Sequence, residues 1–113
     1  MYPRNKYRNH KVTVDGITFD SKKEAARWGE LQKRQERGEI SQLDRQVKYE
    51  LIPVQRSKKT GKVLERACYY VADFVYWENG FLVVEDTKGM KTEKYIIKRK
   101  LMLYKYGIQI QEV

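Results

Sequence analysis

Tyr70-Val71-Ala72-Asp73-Phe74, followed by Asp86-Thr87-Lys88-Gly89, is the stretch of sequence that decides the fold. Val, Tyr, Phe and Trp are dense on both sides of Asn79-Gly80, which predicts two β-strands. Asn-Gly between two such runs is a strong hairpin signal. We therefore expect a hairpin that brings Asp73 and Asp86 side by side on neighbouring strands.

The two aspartates of this hairpin follow apolar stretches of chain. Because side chains alternate along a strand, we expect Asp86 and Lys88 on one face and Glu85 and Thr87 on the other. Gathering two carboxylates there is unfavourable unless a divalent cation or a close ion pair neutralises them. A surface ion pair between Asp86 and Lys88 is the alternative, and it would stabilise the fold by only ~0–1 kcal/mol.

A helix is predicted to begin upstream, at Ser21. Ser21-Lys22-Lys23-Glu24 fits a capping box, with serine at the N-cap and glutamate three residues later. Gly38 is expected just past the end of the helix. The residues at helical spacing on its expected core face are Ala25, Trp28, Leu31 and Gln32.

These motifs together resemble a known enzyme family. Asp73, a dozen intervening residues and Asp86-x-Lys88 resemble the catalytic signature of the PD-(D/E)XK nuclease superfamily, and residues 19–28 resemble its first helix. The resemblance covers about residues 17–111 and points to compact phage-type endonucleases, including Holliday junction resolvases. The proline of the family name is Ala72 here. The resemblance implies an α/β fold with a restriction-endonuclease-like mixed β-sheet flanked by helices, in the core order α-β-β-β-α-β.

The same resemblance implies roles for individual residues. Asp73, Asp86, Lys88 and Glu24 would be catalytic, and Mg²⁺, or Mn²⁺ in its place, would be held by Asp73, Asp86, Glu24 and the backbone carbonyl of Thr87. Lys88 would steady the attacking water or the phosphate. Gln46 is a candidate accessory residue. Whether Glu24 is a metal ligand or only a helix cap stays open, because a capping glutamate needs no metal.

Composition and charge favour a nucleic-acid partner. The chain has 113 residues, enough for one domain, and its 24 Lys+Arg against 15 Asp+Glu give a net charge of +9. We expect residues 12–113 to form a single nuclease-like domain preceded by a flexible basic arm over residues 1–11. The arm cations are Arg4, Lys6, Arg8 and Lys11, and further candidate DNA-binding residues are Arg56, Lys58, Lys59, Lys62, Lys91, Lys94 and Lys98.

The remaining elements can be placed from local signals. Residues 12–19 predict a short hairpin around Asp15-Gly16, and residues 43–54 a strand that leads through a polar turn into residues 63–77. Thr92 is expected to cap a second helix that ends at Gly107, before a last strand over residues 108–111. The apolar stripe of that helix at i, i+4 and i+7 is Ile97, Leu101 and Tyr104, helped by Ile96 and Met102.

Other chemistries find little support in the sequence. His10 is the only histidine and Cys68 the only cysteine, so a zinc cluster, an internal disulfide or a Ser-His-Asp triad built within the folded domain is not expected. No stretch is long and apolar enough for a membrane span, and we expect a cytoplasmic protein of a bacterial host or a phage-infected cell.

We expect a metal-dependent DNA endonuclease, acting on branched DNA such as a Holliday junction during recombination. A homodimer is expected from the resemblance, since cutting branched DNA usually requires two active sites. The alternatives are a non-catalytic nucleic-acid-binding protein with the same fold, and a small regulator whose positive surface meets an acidic protein.

Overall fold

The computed structural model describes residues 11–88 and 90–113, so the predictions for Arg4, Lys6, Arg8 and Gly89 lie outside the described residues. Within that part of the chain there are two helices and eight strands. In chain order they are β1 (Val12–Val14), β2 (Ile17–Phe19), α1 (Lys22–Glu36), β3 (Ser41–Ile52), β4 (Gln55–Arg56), β5 (Val63–Glu65), β6 (Cys68–Glu78), β7 (Phe81–Asp86), α2 (Glu93–Tyr106) and β8 (Gln111–Glu112).

The central sheet has four strands in the order β3-β6-β7-β8. β3 and β7 run antiparallel to β6, whereas β8 runs parallel to β7, so the sheet is mixed. The fold is therefore α/β, and α1-β3-β6-β7-α2-β8 reproduces the predicted order. Two small hairpins, β1–β2 and β4–β5, are added to this core. The last strand is shorter and later than predicted, at residues 111–112 instead of 108–111.

The β6–β7 hairpin confirms the prediction made from Asn79-Gly80. Both turn residues have positive φ, 52° for Asn79 and 80° for Gly80, as a type I′ turn requires. Phe74 pairs with Glu85 in the ladder. Continuing that register by one residue sets Asp73 opposite Asp86, as the hairpin signal predicts.

Both helices begin and end at the predicted residues. The Ser21 hydroxyl accepts a hydrogen bond from the Glu24 N–H at 3.1 Å, and the Thr92 hydroxyl accepts one from the Tyr95 N–H at 3.1 Å. Gly38 and Gly107 follow the helices with φ of 76° and 68°, the left-handed conformation that glycine adopts without a steric penalty.

The predicted core stripe of α2 is wrong for two of its three members. Ile97 is 58% exposed and Tyr104 is 89% exposed, whereas Met102, predicted only to help the stripe, is fully buried. The helix is rotated so that Met102 packs among the core side chains of the sheet, with Leu101 partly buried beside it. An unbranched methionine fills an irregular gap well, and the sequence pattern alone does not show which of two overlapping stripes meets the sheet. In α1, Gln32 is likewise exposed, while Leu31 is buried as predicted.

Two core clusters lie on opposite faces of the sheet, and the strand alternation changes at Asp73. Ala72 and Val75 pack in the cluster that contains Met102, whereas Phe74 packs with Leu31 of α1. In a regular strand, Ala72 and Phe74 would share a face. The irregularity therefore lies between them, at Asp73. Neither helix within the described ranges is long and apolar enough to span a bilayer.

Candidate functional site

Asp73 lies where the ladder between β3 and β6 is distorted. Arg45 pairs with Phe74 and Val47 with Ala72, so Gln46 is the residue opposite Asp73. Gln46 has φ of 54°, a left-handed conformation that is rare for a non-glycine residue inside a strand. Its side-chain amide lies 3.4 Å from Asp73 Oδ1. Local distortions of this kind re-aim a side chain, and here the Asp73 carboxyl is directed to the end of β7.

Thr87 holds that carboxyl in place. Its N–H donates to Asp73 Oδ2 at 2.8 Å, and its hydroxyl donates to the same oxygen at 2.9 Å. Thr87 follows the last residue of β7, and its side chain reaches Asp73. It also lines a pocket with Arg27 of α1, the partner of Glu85, in keeping with the expectation that Thr87 and Glu85 share a face.

Asp86 is fixed through both of its carboxyl oxygens. Oδ2 accepts a hydrogen bond from the Tyr70 hydroxyl at 2.8 Å, and Oδ1 accepts one from the backbone N–H of Lys88 at 2.9 Å. Burial, together with the charge of Asp86, raises the pKa of the Tyr70 hydroxyl well above its ordinary range, so that Tyr70 remains a donor.

Glu24 uses its two oxygens differently. Oε1 accepts a hydrogen bond from the Asp20 N–H at 3.2 Å, one residue before the position that a capping box predicts. Oε2 is buried and has no hydrogen-bond partner within the described part of the chain. The residue caps α1 with one oxygen, and the other has no hydrogen-bond partner among the described residues.

The carboxyls of Glu24 and Asp73 lie within hydrogen-bonding reach of each other. Burial, followed by the contact with Asp73 and its charge, raises the pKa of Glu24 to about 7. Two ionised carboxylates are both acceptors, so a hydrogen bond between Glu24 and Asp73 forms only when one of the two groups carries a proton. A bound cation would replace that proton. The nearest guanidinium belongs to Arg45, whose Nη2 is 3.9 Å from Glu24 Oε1, and whose buried Nε has no partner in the described residues.

Lys88 is half exposed at the edge of this cluster. Its Nζ donates to Asp20 Oδ2 at 3.2 Å, so Lys88 is ion-paired with Asp20, and the alternative of an Asp86–Lys88 pair is not what the structure shows. Burial works to lower the pKa of Lys88, but the hydrogen bond to Asp20 and the charges of Asp73 and Asp20 raise it overall. The ammonium therefore stays charged beside the carboxylates at neutral pH.

A cavity of about 370 Å³ opens beside these groups. Asp73, Asp86 and Lys88 line it together with Lys94 and Lys98 from α2, so carboxylates and ammonium groups surround one space. Lys91 lies outside it and is ion-paired with Glu112. The other candidate DNA-binding residues that the structure describes are exposed, namely Lys11 before β1 and Arg56, Lys58, Lys59 and Lys62 in the β4–β5 hairpin.

The donor set decides whether a metal ion fits this cluster. Among residues 11–88 and 90–113, no three His, Cys, Asp or Glu side chains already stand in an arrangement that would hold an ion. The donors are nevertheless of the right kind, because Mg²⁺ prefers carboxylate oxygen and keeps several of its waters. A cation beside Asp73 would give the unpaired Oε2 of Glu24 a partner and would lower the raised pKa of this carboxyl. The residues present therefore fit a hard divalent cation.

A second buried charge cluster lies beneath the site, and the sequence did not predict it. Glu85 is fully buried, and its carboxylate accepts from Arg27 Nε at 2.9 Å, from Arg27 Nη2 at 2.6 Å and from the Tyr76 hydroxyl. Asp20 and Arg45 were not predicted at the site either. The sequence did contain a signal for Arg27. It lies on the same helix face as Glu24 and Trp28, and the strand β7 that this face meets contains Glu85.

Comparison with known proteins gives a family and no function. A family model described as "Protein of unknown function (DUF1064)" matches residues 4–112. Searches of curated proteins and of solved structures found no match.

Proposed function

The chain belongs to the DUF1064 family, and we propose that it is a metal-dependent endodeoxyribonuclease with a restriction-endonuclease-like fold. One observation carries the proposal. Glu24 and Asp73 are buried against each other, with one glutamate oxygen unpaired, in a cluster whose cavity also contains Asp86 and lysine side chains. Carboxylates that repel one another inside a basic cavity suit a divalent cation and a phosphate together.

The side chains of the proposed site have two roles, metal binding and the orientation of the metal ligands. Asp73, Asp86 and Glu24 would hold Mg²⁺ or Mn²⁺, with the backbone carbonyl of Thr87 as a further ligand. When bound, the cation would lower the pKa of a water and offset charge on the phosphate. Thr87 and Tyr70 keep the two aspartates oriented through hydrogen bonds of 2.8–2.9 Å. Gln46 orients the remaining oxygen of Asp73 from 3.4 Å.

Lys88 would act on the substrate side of the cluster. Its ammonium is held by Asp20 at 3.2 Å and lines the same cavity as Asp73 and Asp86. From there it can steady an attacking water or a nonbridging phosphate oxygen. Because Asp20 competes for this ammonium, a phosphate entering the cavity would take over part of that contact.

The proposed substrate is DNA, and branched DNA in particular. Lys94 and Lys98 line the cavity, and the β4–β5 hairpin carries four further exposed cations. Phosphate contacts of this kind orient a nucleic acid without reading its sequence. A homodimer acting in the cytoplasm completes the proposal, since two active sites suit a branched substrate.

A cleavage assay tests the proposal. Labelled four-way junction, flap, single-stranded and duplex DNA would be incubated with Mg²⁺, Mn²⁺ or EDTA. We expect metal-dependent cutting by the wild type, and its loss in Asp86→Asn and Lys88→Ala. Asp15→Asn is the matched control, because it makes the same charge change at an exposed turn residue and should cut normally. Salt-sensitive DNA binding without cutting in any metal would replace the proposal with a non-catalytic binding protein.

A further inference from the structure

The outer half of the β3–β6 ladder has one face that no helix covers. Lys48 pairs with Val71 and Glu50 pairs with Tyr69 in the register. All four of these residues are exposed, Tyr69 at 40% and Val71 at 38%. The intervening Tyr70 points the other way and is buried in the cluster that contains Met102 of α2. An aromatic and an aliphatic side chain thus stand uncovered on an otherwise well-packed strand.

This uncovered face meets the carboxylate cavity at Val71, which lines the cavity together with Tyr70 of the opposite face. Val71 and Asp73 line the same cavity of about 370 Å³, and Tyr69 lies two residues further along β6. Four residues of strand span ~13 Å, the distance over which one nucleic-acid strand places about four phosphates. A strand with a phosphate at Asp73 would therefore reach Tyr69 within a few nucleotides.

The side chains around Tyr69 supply the charge expected for a nucleic acid. Lys48 Nζ lies 5.6 Å from the centre of the Tyr69 ring, and the face continues toward the basic β4–β5 hairpin. Glu50 is the one acid in the four paired positions. A second copy of the chain is a poor occupant, because it would bring two basic hairpins together in a protein of net charge +9. Aromatic side chains beside a cationic track are the features on which unpaired bases stack.

We propose that the face formed by Lys48, Tyr69 and Val71 binds unpaired bases of the strand whose phosphate enters the carboxylate cavity. The inference rests on the proposed nuclease function and adds a substrate class to it. A fully paired duplex keeps its bases inside the stack and would contact this face only through its backbone. The favoured substrate therefore has a single-stranded segment beside the cut, as at a flap, a bubble or an opened junction.

Binding in EDTA tests the inference without any chemistry. The ligands are a fluorescent 12-nucleotide dT strand, an abasic strand of the same length and charge, and a 12-base-pair duplex. In the wild type, we expect the dT strand to bind more tightly than the abasic strand. Tyr69→Ala should weaken dT binding about tenfold and leave abasic-strand and duplex binding unchanged, because stacking requires a base and an exposed ring.

Two variants separate stacking from structure. Tyr69→Phe keeps the ring and should bind the dT strand as the wild type does. Tyr104→Ala removes an 89% exposed tyrosine from α2 and should change nothing. Equal binding of the dT and abasic strands by the wild type, or equal weakening of all three ligands by Tyr69→Ala, would overturn the inference.

The outcomes also separate this inference from the nuclease itself. If Asp86→Asn has no effect on cutting, or no cutting occurs, the dT-specific loss in Tyr69→Ala still establishes the base-binding face. If cutting is metal-dependent and Tyr69→Ala binds the dT strand normally, the nuclease stands and the base-binding face does not.

Discussion

Glu85 and Glu24 are equally buried, each 1% exposed, yet the fold treats their charges in opposite ways. Glu85 receives two hydrogen bonds from Arg27 and one from Tyr76, so its charge is neutralised. Glu24 receives one backbone hydrogen bond, and its side chain contacts a second carboxyl, that of Asp73. Burial alone therefore does not decide how a carboxyl group is satisfied. The partners differ: Arg27 neutralises Glu85, whereas Glu24 contacts a second carboxyl, and the proposed cation site rests on that contact.

Breaking the Glu85 pair should produce the largest change in stability. Glu85→Ala leaves the Arg27 guanidinium without its buried partner and should lower the free energy of unfolding by ~3–5 kcal/mol. The matched control is Glu30→Ala, which removes the exposed partner of the same arginine, 3.0 Å away, and should lower it by less than ~1 kcal/mol. Urea titration measures both. Equal losses in the two variants would mean that burial adds nothing to the pairing of Arg27 with Glu85.

Replacing Glu24 should stabilise the metal-free protein at neutral pH, whereas replacing Glu85 should destabilise it. Its pKa is raised from 4.5 to about 7, so between these values the unfolded chain loses a proton that the folded chain keeps. Stability should therefore fall as pH rises through this window, by at most ~3 kcal/mol, and then level off. Glu24→Gln keeps the acceptor for Asp20 N–H and cannot titrate, so its stability should not show this fall.

Thermal unfolding of chelator-treated protein from pH 4.5 to 8 checks this prediction. Wild type and Glu24→Gln should differ most at pH 8, where the variant is the more stable. A parallel decline in both proteins would mean that another group, not Glu24, sets the pH dependence.

Adding a divalent cation should reverse the loss of folding stability that the ionisation of Glu24 causes. Mg²⁺ at a hundredfold excess over its dissociation constant should stabilise the wild type by ~2.7 kcal/mol and raise Tm by roughly 10 °C. Glu24→Gln should gain less, because it offers a neutral amide where the cation needs a charged oxygen. Asp15→Asn should gain as much as the wild type. Calorimetry that detects no Mg²⁺ effect on the wild type would leave Glu24 without the cation that distinguishes it from Glu85.

The smallest effect is expected at the helix cap. Ser21→Ala removes the acceptor for the Glu24 N–H, 3.1 Å away, and should lower the free energy of unfolding by ~1 kcal/mol. Ser57→Ala, in the β4–β5 turn, is a control that removes a hydroxyl with two backbone contacts outside any helix. If Ser21→Ala also abolishes Mg²⁺ stabilisation, the cap and the cation site are more tightly linked than the contacts indicate.

The parts of the fold that the sequence predicts are those set by short-range chemistry. Asn79-Gly80 favours a tight turn, and Ser21 and Thr92 are hydrogen-bond acceptors directly before the two helices, so each signal acts over a few residues. The pairing of Asp73 with Asp86 follows from that turn. The two aspartates of the candidate cluster can therefore be brought together from the residue pattern alone.

What the sequence does not predict depends on long-range packing. The rotation of α2 is decided by the shape of the sheet beneath Met102, which no helical period encodes. Arg27 and Glu85 are 58 residues apart and meet only after α1 docks. The positive φ of Gln46 follows from no local preference, since glutamine is not a turn residue.

The positive φ of Gln46 also limits which residues can occupy position 46 without changing the site. A β-branched residue at position 46 would resist the left-handed backbone, whereas glycine, asparagine or aspartate would accept it. A descendant with valine there would favour a regular ladder, in which the neighbours of Asp73 face the same way. The carboxylates could then all remain in the sequence while the geometry that gathers them disappears. The residue at position 46 therefore decides whether the backbone can bring these carboxylates together.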